Sequence, residues 1–155
     1  MMIELRSVKL LSVARTDVGR RRQINEDALF RALKDKKIGV LGLAFKQNTD
    51  DVRSSPAIEL CQRLLKDGAT LRVHDPKAMD KAKALLPDVA YVEDMNAVAD
   101  GCDALVIATE WDDFKKLDTE RARKAMTHPI LFDGRNLFDP KEMEAAGWIY
   151  KSIGR

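Results

Sequence analysis

Cysteine is nearly missing from this 155-residue chain, with Cys61 and Cys102 its two thiols. They fall in a helical segment and at the approach to a strand, where two buried, reduced side chains in a cytoplasmic protein are the expectation over a disulfide between them. Histidine is as scarce: His74 and His128 lack neighbouring cysteines with which to build a zinc site, so both are expected to serve turns. No excess of one charge exists either, since 27 basic residues face 25 acidic ones for a net +2. That balance gives no general attraction to nucleic acid or to an anionic membrane surface. No apolar run approaches the roughly 18 residues of a membrane span, and Met1-Met2-Ile3-Glu4-Leu5 lacks the layout of a signal peptide. Internal repeats and low-complexity stretches are absent too.

What is present fits a globular α/β chain: 45% hydrophobic and 34% charged residues are enough for one core. Residues 1–36 stand apart as an N-terminal arm or shortened linking helix. Their apolar positions up to Val13 follow neither strand nor helix spacing, Arg20-Arg21-Arg22 is a charge run, and Ala28, Leu29, Ala32 and Leu33 predict a helix over Asp27 to Leu33. From 37 to 155 the pattern alternates. Apolar runs predict strands at Lys37–Leu41, Ala69–Val73, Val89–Val92, Ala104–Ala108, Ile130–Phe132 and Trp148–Ile153. Between them, helices are expected from a Ser55 cap and Pro56 to Gly68, from Asp75-Pro76 to Leu86, over Asp94–Asp100, over Asp118–Met126, and from the Asp139-Pro140-Lys141-Glu142 capping box to Gly147. Such alternation predicts a Rossmann-like, doubly wound, mainly parallel sheet of about six strands with helices on both faces.

Sheets of this class bind ligands outside the carboxyl ends of their strands, where strand order reverses. Three polar clusters are due there: the loop from Gly42 to Arg53, the segment Thr109-Glu110-Trp111, and Asp133-Gly134-Arg135-Asn136. A dinucleotide fingerprint is not among them. Gly39 and Gly42 stand three apart, no third glycine follows, and twelve residues separate Gly42 from Ser55. A long loop suits side-chain phosphate contacts better than a backbone cradle, with Lys46 as a point charge and Arg135 as a two-pronged donor. Bland alternatives stand beside these: a solvated loop lysine for Lys46, an ion pair with Asp133 for Arg135, and a packed turn for Thr109 to Phe114. Asp50, Asp51 and Asp133 are not expected to bind metal, because adjacent loop carboxylates are usually solvated or act as caps.

The ordered wording Gly42-Leu43-Ala44-Phe45-Lys46, Thr49-Asp50-Asp51-Val52-Arg53, Ser55-Pro56-Ala57, Asp75-Pro76, Ala108-Thr109-Glu110-Trp111-Asp112-Asp113-Phe114 and Asp133-Gly134-Arg135-Asn136 resembles the C-terminal, UDP-binding domain of the UDP-glucose/GDP-mannose dehydrogenase family. The resemblance covers roughly residues 37 to 155 and implies a UDP-sugar-binding domain within an NAD-dependent enzyme that oxidises UDP-glucose to UDP-glucuronate. It implies that Phe45 and Lys46 line the sugar-nucleotide site, that Arg135 contacts UDP, and that Arg53 reaches NAD held on another domain. Family members also carry an NAD-binding Rossmann domain, a central dimer-forming helix and a nucleophilic cysteine in a Gly-rich loop. These 155 residues include no such cysteine loop and no Gly-x-Gly-x-x-Gly turn. Hence no catalytic residue is assigned, neither cysteine is promoted to nucleophile, and NAD is not expected to bind this chain alone. UDP or a UDP-sugar is the expected ligand, a separate NAD-binding polypeptide or a homodimer partner is compatible with the resemblance, and a non-binding remnant remains the rival reading.

Overall fold

The computed structural model describes residues 30–152; most of the expected arm, and Ile153 of the expected sixth strand, lie outside the described residues. Helical backbone at 30–33 continues the expected helix before the first strand, and Phe30, Ala32 and Leu33 are buried there. Six strands follow: β1 (Lys37–Leu41), β2 (Thr70–His74), β3 (Ala90–Tyr91), β4 (Ala104–Ile107), β5 (Ile130–Asp133) and β6 (Ile149–Ser152). They form one sheet in the order β3-β2-β1-β4-β5-β6, and every neighbouring pair is parallel. Between β1 and β4 the direction of winding reverses. Leu41 lies beside His74 on one side and Ile107 on the other, so the ends of β1, β2 and β4 share one edge.

Burial explains why these runs became parallel strands. Successive side chains of a strand point to opposite faces, yet all four residues of β4 and of β5 are buried, as are the last four of β1. Both sheet faces are therefore covered, which is what uninterrupted apolar runs require. The first crossover is α1 (Pro56–Lys66), whose buried stripe is Ala57, Ile58, Cys61 and Leu64. Pro56 takes the first helical position, where its missing N–H costs nothing, and Gly68 leaves the helix at φ +90°. The remaining crossovers carry α2 (Met79–Ala82), a 3-10 turn at Met95–Ala97, a second at Asp112–Lys116, α3 (Thr119–Ala125) and α4 (Pro140–Ala145).

Several expected elements are shorter than their patterns. The helix expected from Asp75 to Leu86 shrinks to the four residues of α2: Asp75 caps the opening turn by accepting the Lys77 and Ala78 N–H groups, but helical backbone runs only from Met79 to Ala82. The third strand keeps two of its four expected residues, and the Asp94–Asp100 helix is one 3-10 turn capped by Asp94 on the Asn96 N–H. The expected Ser55 cap is not made: its hydroxyl donates to the Leu43 carbonyl at 2.8 Å. His74 closes β2 instead of forming a turn, with Nδ1 2.8 Å from the Val92 carbonyl oxygen.

Both cysteines are buried and unbridged. Burial pushes the Cys61 thiol up to about 12 and the Cys102 thiol up to about 11, so neither supplies thiolate near neutrality. Iodoacetamide at about pH 8 should therefore leave both unmodified in the folded chain and alkylate both in concentrated urea, as read by intact mass. Prompt labelling of Cys61 without denaturant would contradict the packing of α1 against the sheet.

Candidate functional site

The site is built where β1 and β4 end side by side. Gly42 leaves β1 at φ +105°, and a Cβ there would lie 2.5 Å from the backbone nitrogen and Cβ of Thr109. Only glycine permits that approach. The Thr109 hydroxyl donates to the Ala44 carbonyl at 2.9 Å, and the Ala108 N–H to the Leu41 carbonyl at 2.8 Å. Beneath them lies Asp75, fully buried at the end of β2. Its carboxylate accepts five hydrogen bonds: Leu43 N at 2.8 Å, Ala44 N at 2.9 Å, Lys77 N at 2.9 Å, Ala78 N at 2.8 Å and Trp111 Nε1 at 3.1 Å. Trp111, Phe114 and Thr109 are buried, so the packed-turn reading describes that segment, from which the acids Glu110, Asp112 and Asp113 project.

Above this floor the loop after β1 closes on itself. The Phe45 N–H donates to the Asp51 carbonyl at 2.8 Å, and the Asp51 N–H to the Thr49 hydroxyl at 3.1 Å. The Asp51 carboxylate takes three further bonds from one residue: Arg53 N at 2.9 Å, Nε at 3.0 Å and Nη2 at 3.0 Å. These bonds hold the Asp51 carboxyl down at about 2, the Arg53 side chain contributing most. Asn48 and Ser54 bracket the turn in the left-handed region, at φ 65° and 54°. Phe45 is 46% exposed, Lys46 is exposed without an ion-pair partner among the described residues, and the Arg53 side chain is 89% exposed. A shallow depression of about 460 Å³, lined by Asn48, Thr49, Asp50 and Lys77, opens beside the loop.

Arg135 arrives from β5. The alternative of an ion pair with Asp133 is not what forms, because the buried Asp133 carboxylate is filled by Arg135 N at 3.1 Å, Phe138 N at 3.0 Å and the Tyr150 hydroxyl at 2.7 Å. The Arg135 side chain turns back over β4 instead. Its Nε donates to the Ala108 carbonyl at 3.1 Å, and Nη1 stands 3.9 Å from Glu110 Oε2. Strand order thus brings the Phe45–Lys46 loop and the Arg135 turn to flanking positions around the end of β4, while Arg53 lies farther along the first loop, held by Asp51. Sequence reasoning missed Asp75, Tyr150 and Asp51 as organisers. An acid directly after an apolar run and before Pro76 was the available signal for Asp75; Tyr150 carried none.

These residues do not fit a dinucleotide cradle after β1. The loop there is long, α1 begins with proline, and the acid at the end of β2, which in a dinucleotide site faces a ribose, is here wholly occupied by protein donors. Among the described residues no cluster of three or more metal-ligating side chains occurs, and no helix is long and apolar enough to cross a membrane.

Residues 39–140 match the UDP binding domain of the UDP-glucose/GDP-mannose dehydrogenase family. The chain belongs to this family. It is 43% identical over 125 residues to the UDP-glucose 6-dehydrogenase TuaD of Bacillus subtilis (strain 168), covering 80% of this chain and 27% of that one. With the UDP-glucose 6-dehydrogenase YwqF of the same organism it shares 38% identity over 149 residues, 94% of this chain and 34% of the relative. The solved structure of a UDP-glucose dehydrogenase from Pyrobaculum islandicum superposes with a TM-score of 0.64 at 35% identity, over 84% of this chain and 32% of that one. The chain therefore spans between 27% and 34% of the length of these family members.

Two measurements check the geometry. Asp75→Ala leaves five buried or half-buried donors without their acceptor, each costing about 1–3 kcal/mol if water cannot replace it. Urea unfolding should show a loss above about 3 kcal/mol, whereas Asp80→Ala, at an exposed i,i+3 pair with Lys83, should stay within about 0.5 kcal/mol. A small effect at Asp75 would mean that the strand ends are joined some other way. Separately, the Asp51 carboxyl should titrate near 2 by carbon NMR instead of near 3.8. Because its folded value is depressed, its share of stability is present above the unfolded value and is lost as pH falls through about 2. A midpoint near 3.8 would show that the Arg53 fork is not made in solution.

Proposed function

We propose that residues 37–155 are the UDP-sugar-binding part of an NAD-dependent enzyme like UDP-glucose 6-dehydrogenase, with residues 1–36 as a connecting arm, working in the cytoplasm. The observation that carries this reading is the pre-set Arg135 guanidinium over the end of β4, next to the strand-order reversal, tethered through Nε to Ala108 with Nη2 unpartnered among the described residues. Such a group offers a directed contact to a phosphate oxygen without first having to be ordered. Lys46 supplies a second, mobile positive charge from the neighbouring loop, and the half-exposed ring of Phe45 offers an apolar face to the sugar or base. Asp133 and Tyr150 set the backbone from which Arg135 projects.

In the complete enzyme, NAD would accept hydride from the sugar alcohol, and a thiolate and a base would come from outside these 155 residues. This chain's own share is to bind and orient the nucleotide end of the substrate and to extend Arg53 towards NAD. On that reading the chain alone binds without turnover. The 89% exposure of the Arg53 side chain favours a partner surface, whether another domain or a separate polypeptide, over a purely internal role.

Calorimetric titration with UDP tests the proposal. UDP should bind and raise the melting temperature, since a ligand at a hundred times its Kd adds about 2.7 kcal/mol to the folded state. Arg135→Lys should lose about 1–3 kcal/mol of binding and more than Lys46→Arg loses, because an ammonium cannot copy the guanidinium fork. No heat and no thermal shift at millimolar UDP would favour a remnant that folds but binds no nucleotide.

A further inference from the structure

An exposed arginine ordinarily samples many rotamers, and ordering it on a ligand opposes binding. Arg53 departs from that expectation. Although 89% of its side chain is exposed, Nε and Nη2 form two parallel bonds of 3.0 Å to the two oxygens of Asp51, and Oδ1 also accepts the Arg53 N–H at 2.9 Å. Side chain and backbone of one residue are thus held by one carboxylate two positions earlier. Asp51 is itself anchored, through its N–H to Thr49 and through its carbonyl to the Phe45 N–H. Of the roughly five guanidinium hydrogens, two are engaged and the others remain for a ligand.

We infer that Asp51 is a positioning residue: it presents Arg53 as a pre-set, outward-facing contact for a pyrophosphate-class anion and ties that contact to Phe45 on the sugar-nucleotide side of the loop. The inference rests on the reading of Arg53 given above and adds the residue that makes it work. The carboxyl, held at about 2, stays ionised at any physiological pH, so the fork does not switch off. Simple charge predicts the opposite of positioning. Removing the negative charge of Asp51 leaves Arg53 more positive and should strengthen anion binding if Coulomb attraction were all that mattered. If Asp51 acts by orienting, its removal should weaken binding.

The test uses the full 155-residue chain, labelled with nitrogen-15, and inorganic pyrophosphate as the probe. The Arg53 Nε–H signal is identified by its loss in Arg53→Lys. In the parent chain that signal should be sharp, protected from exchange, and shifted by pyrophosphate. Asp51→Asn retains an oxygen for the Arg53 N–H but loses the second prong; in the folded variant it should speed Nε–H exchange and raise the pyrophosphate dissociation constant at Arg53 about threefold or more. Arg53→Lys, which keeps the charge at an exposed position, should weaken pyrophosphate binding similarly, read by calorimetry because the Nε–H signal is then absent; should Asp51→Asn fail to fold, Asp51→Glu, which keeps the charge but displaces the carboxylate, takes its place with the same expected loss. Equal or tighter pyrophosphate binding in Asp51→Asn overturns the positioning role. No response of Arg53 to pyrophosphate in the parent chain overturns the contact itself, and does so separately from the UDP titration, which reads Lys46 and Arg135.

Discussion

One carboxylate holds the binding edge together. Asp75 sits at the end of β2, accepts two N–H groups from the chain leaving β1, one indole N–H from the segment after β4, and two from its own turn. Three strand ends are thereby joined through hydrogen bonds to a charged acceptor, which are individually stronger than neutral ones. The cost of burying an ion is offset only when its lone pairs are filled, and here they are. A consequence for chemistry follows: the acid that many open α/β sheets direct towards a ligand has become internal scaffolding, and the polar groups left facing outward belong to the loops above it.

Those loops are organised by the same device at different depths. Asp133 repeats the Asp75 arrangement at the end of β5, buried and filled by two backbone N–H groups and the Tyr150 hydroxyl. Asp51 repeats it at the surface, with Thr49 and Arg53 as partners. Each acid fixes a turn, and from two of those turns an arginine projects. Burial grades from the Asp75 floor to the Asp51 rim, and each of the two arginines is set by an acid of its own turn.

The sheet was legible because parallel strands covered on both faces must be nearly pure apolar runs, and Ala104–Ile107 and Ile130–Asp133 are such runs. The placement of Lys46 and Arg135 on one edge followed from strand order alone. What stayed hidden depended on distance in sequence. Asp75 reads as a helix start because its near partners, Lys77 and Ala78, are local, while Leu43, Ala44 and Trp111 lie more than thirty residues away. Ser55 reads as a cap, but its hydroxyl found the Leu43 carbonyl first. Arg135 next to Asp133 reads as an ion pair, until Tyr150 from the neighbouring strand fills the acid.

Tyr150 also sets a timetable. Its hydroxyl bonds to Asp133 across 17 positions of sequence, and Asp133 fixes the turn that carries Arg135. A ribosome adding about 5–20 residues per second places Tyr150 roughly one to three seconds after Asp133. During that interval β1, β4 and the loop with Lys46 are already synthesised, yet the arginine turn lacks its brace. The turn that carries Arg135 therefore gains its brace only when β6 docks at the edge of the sheet.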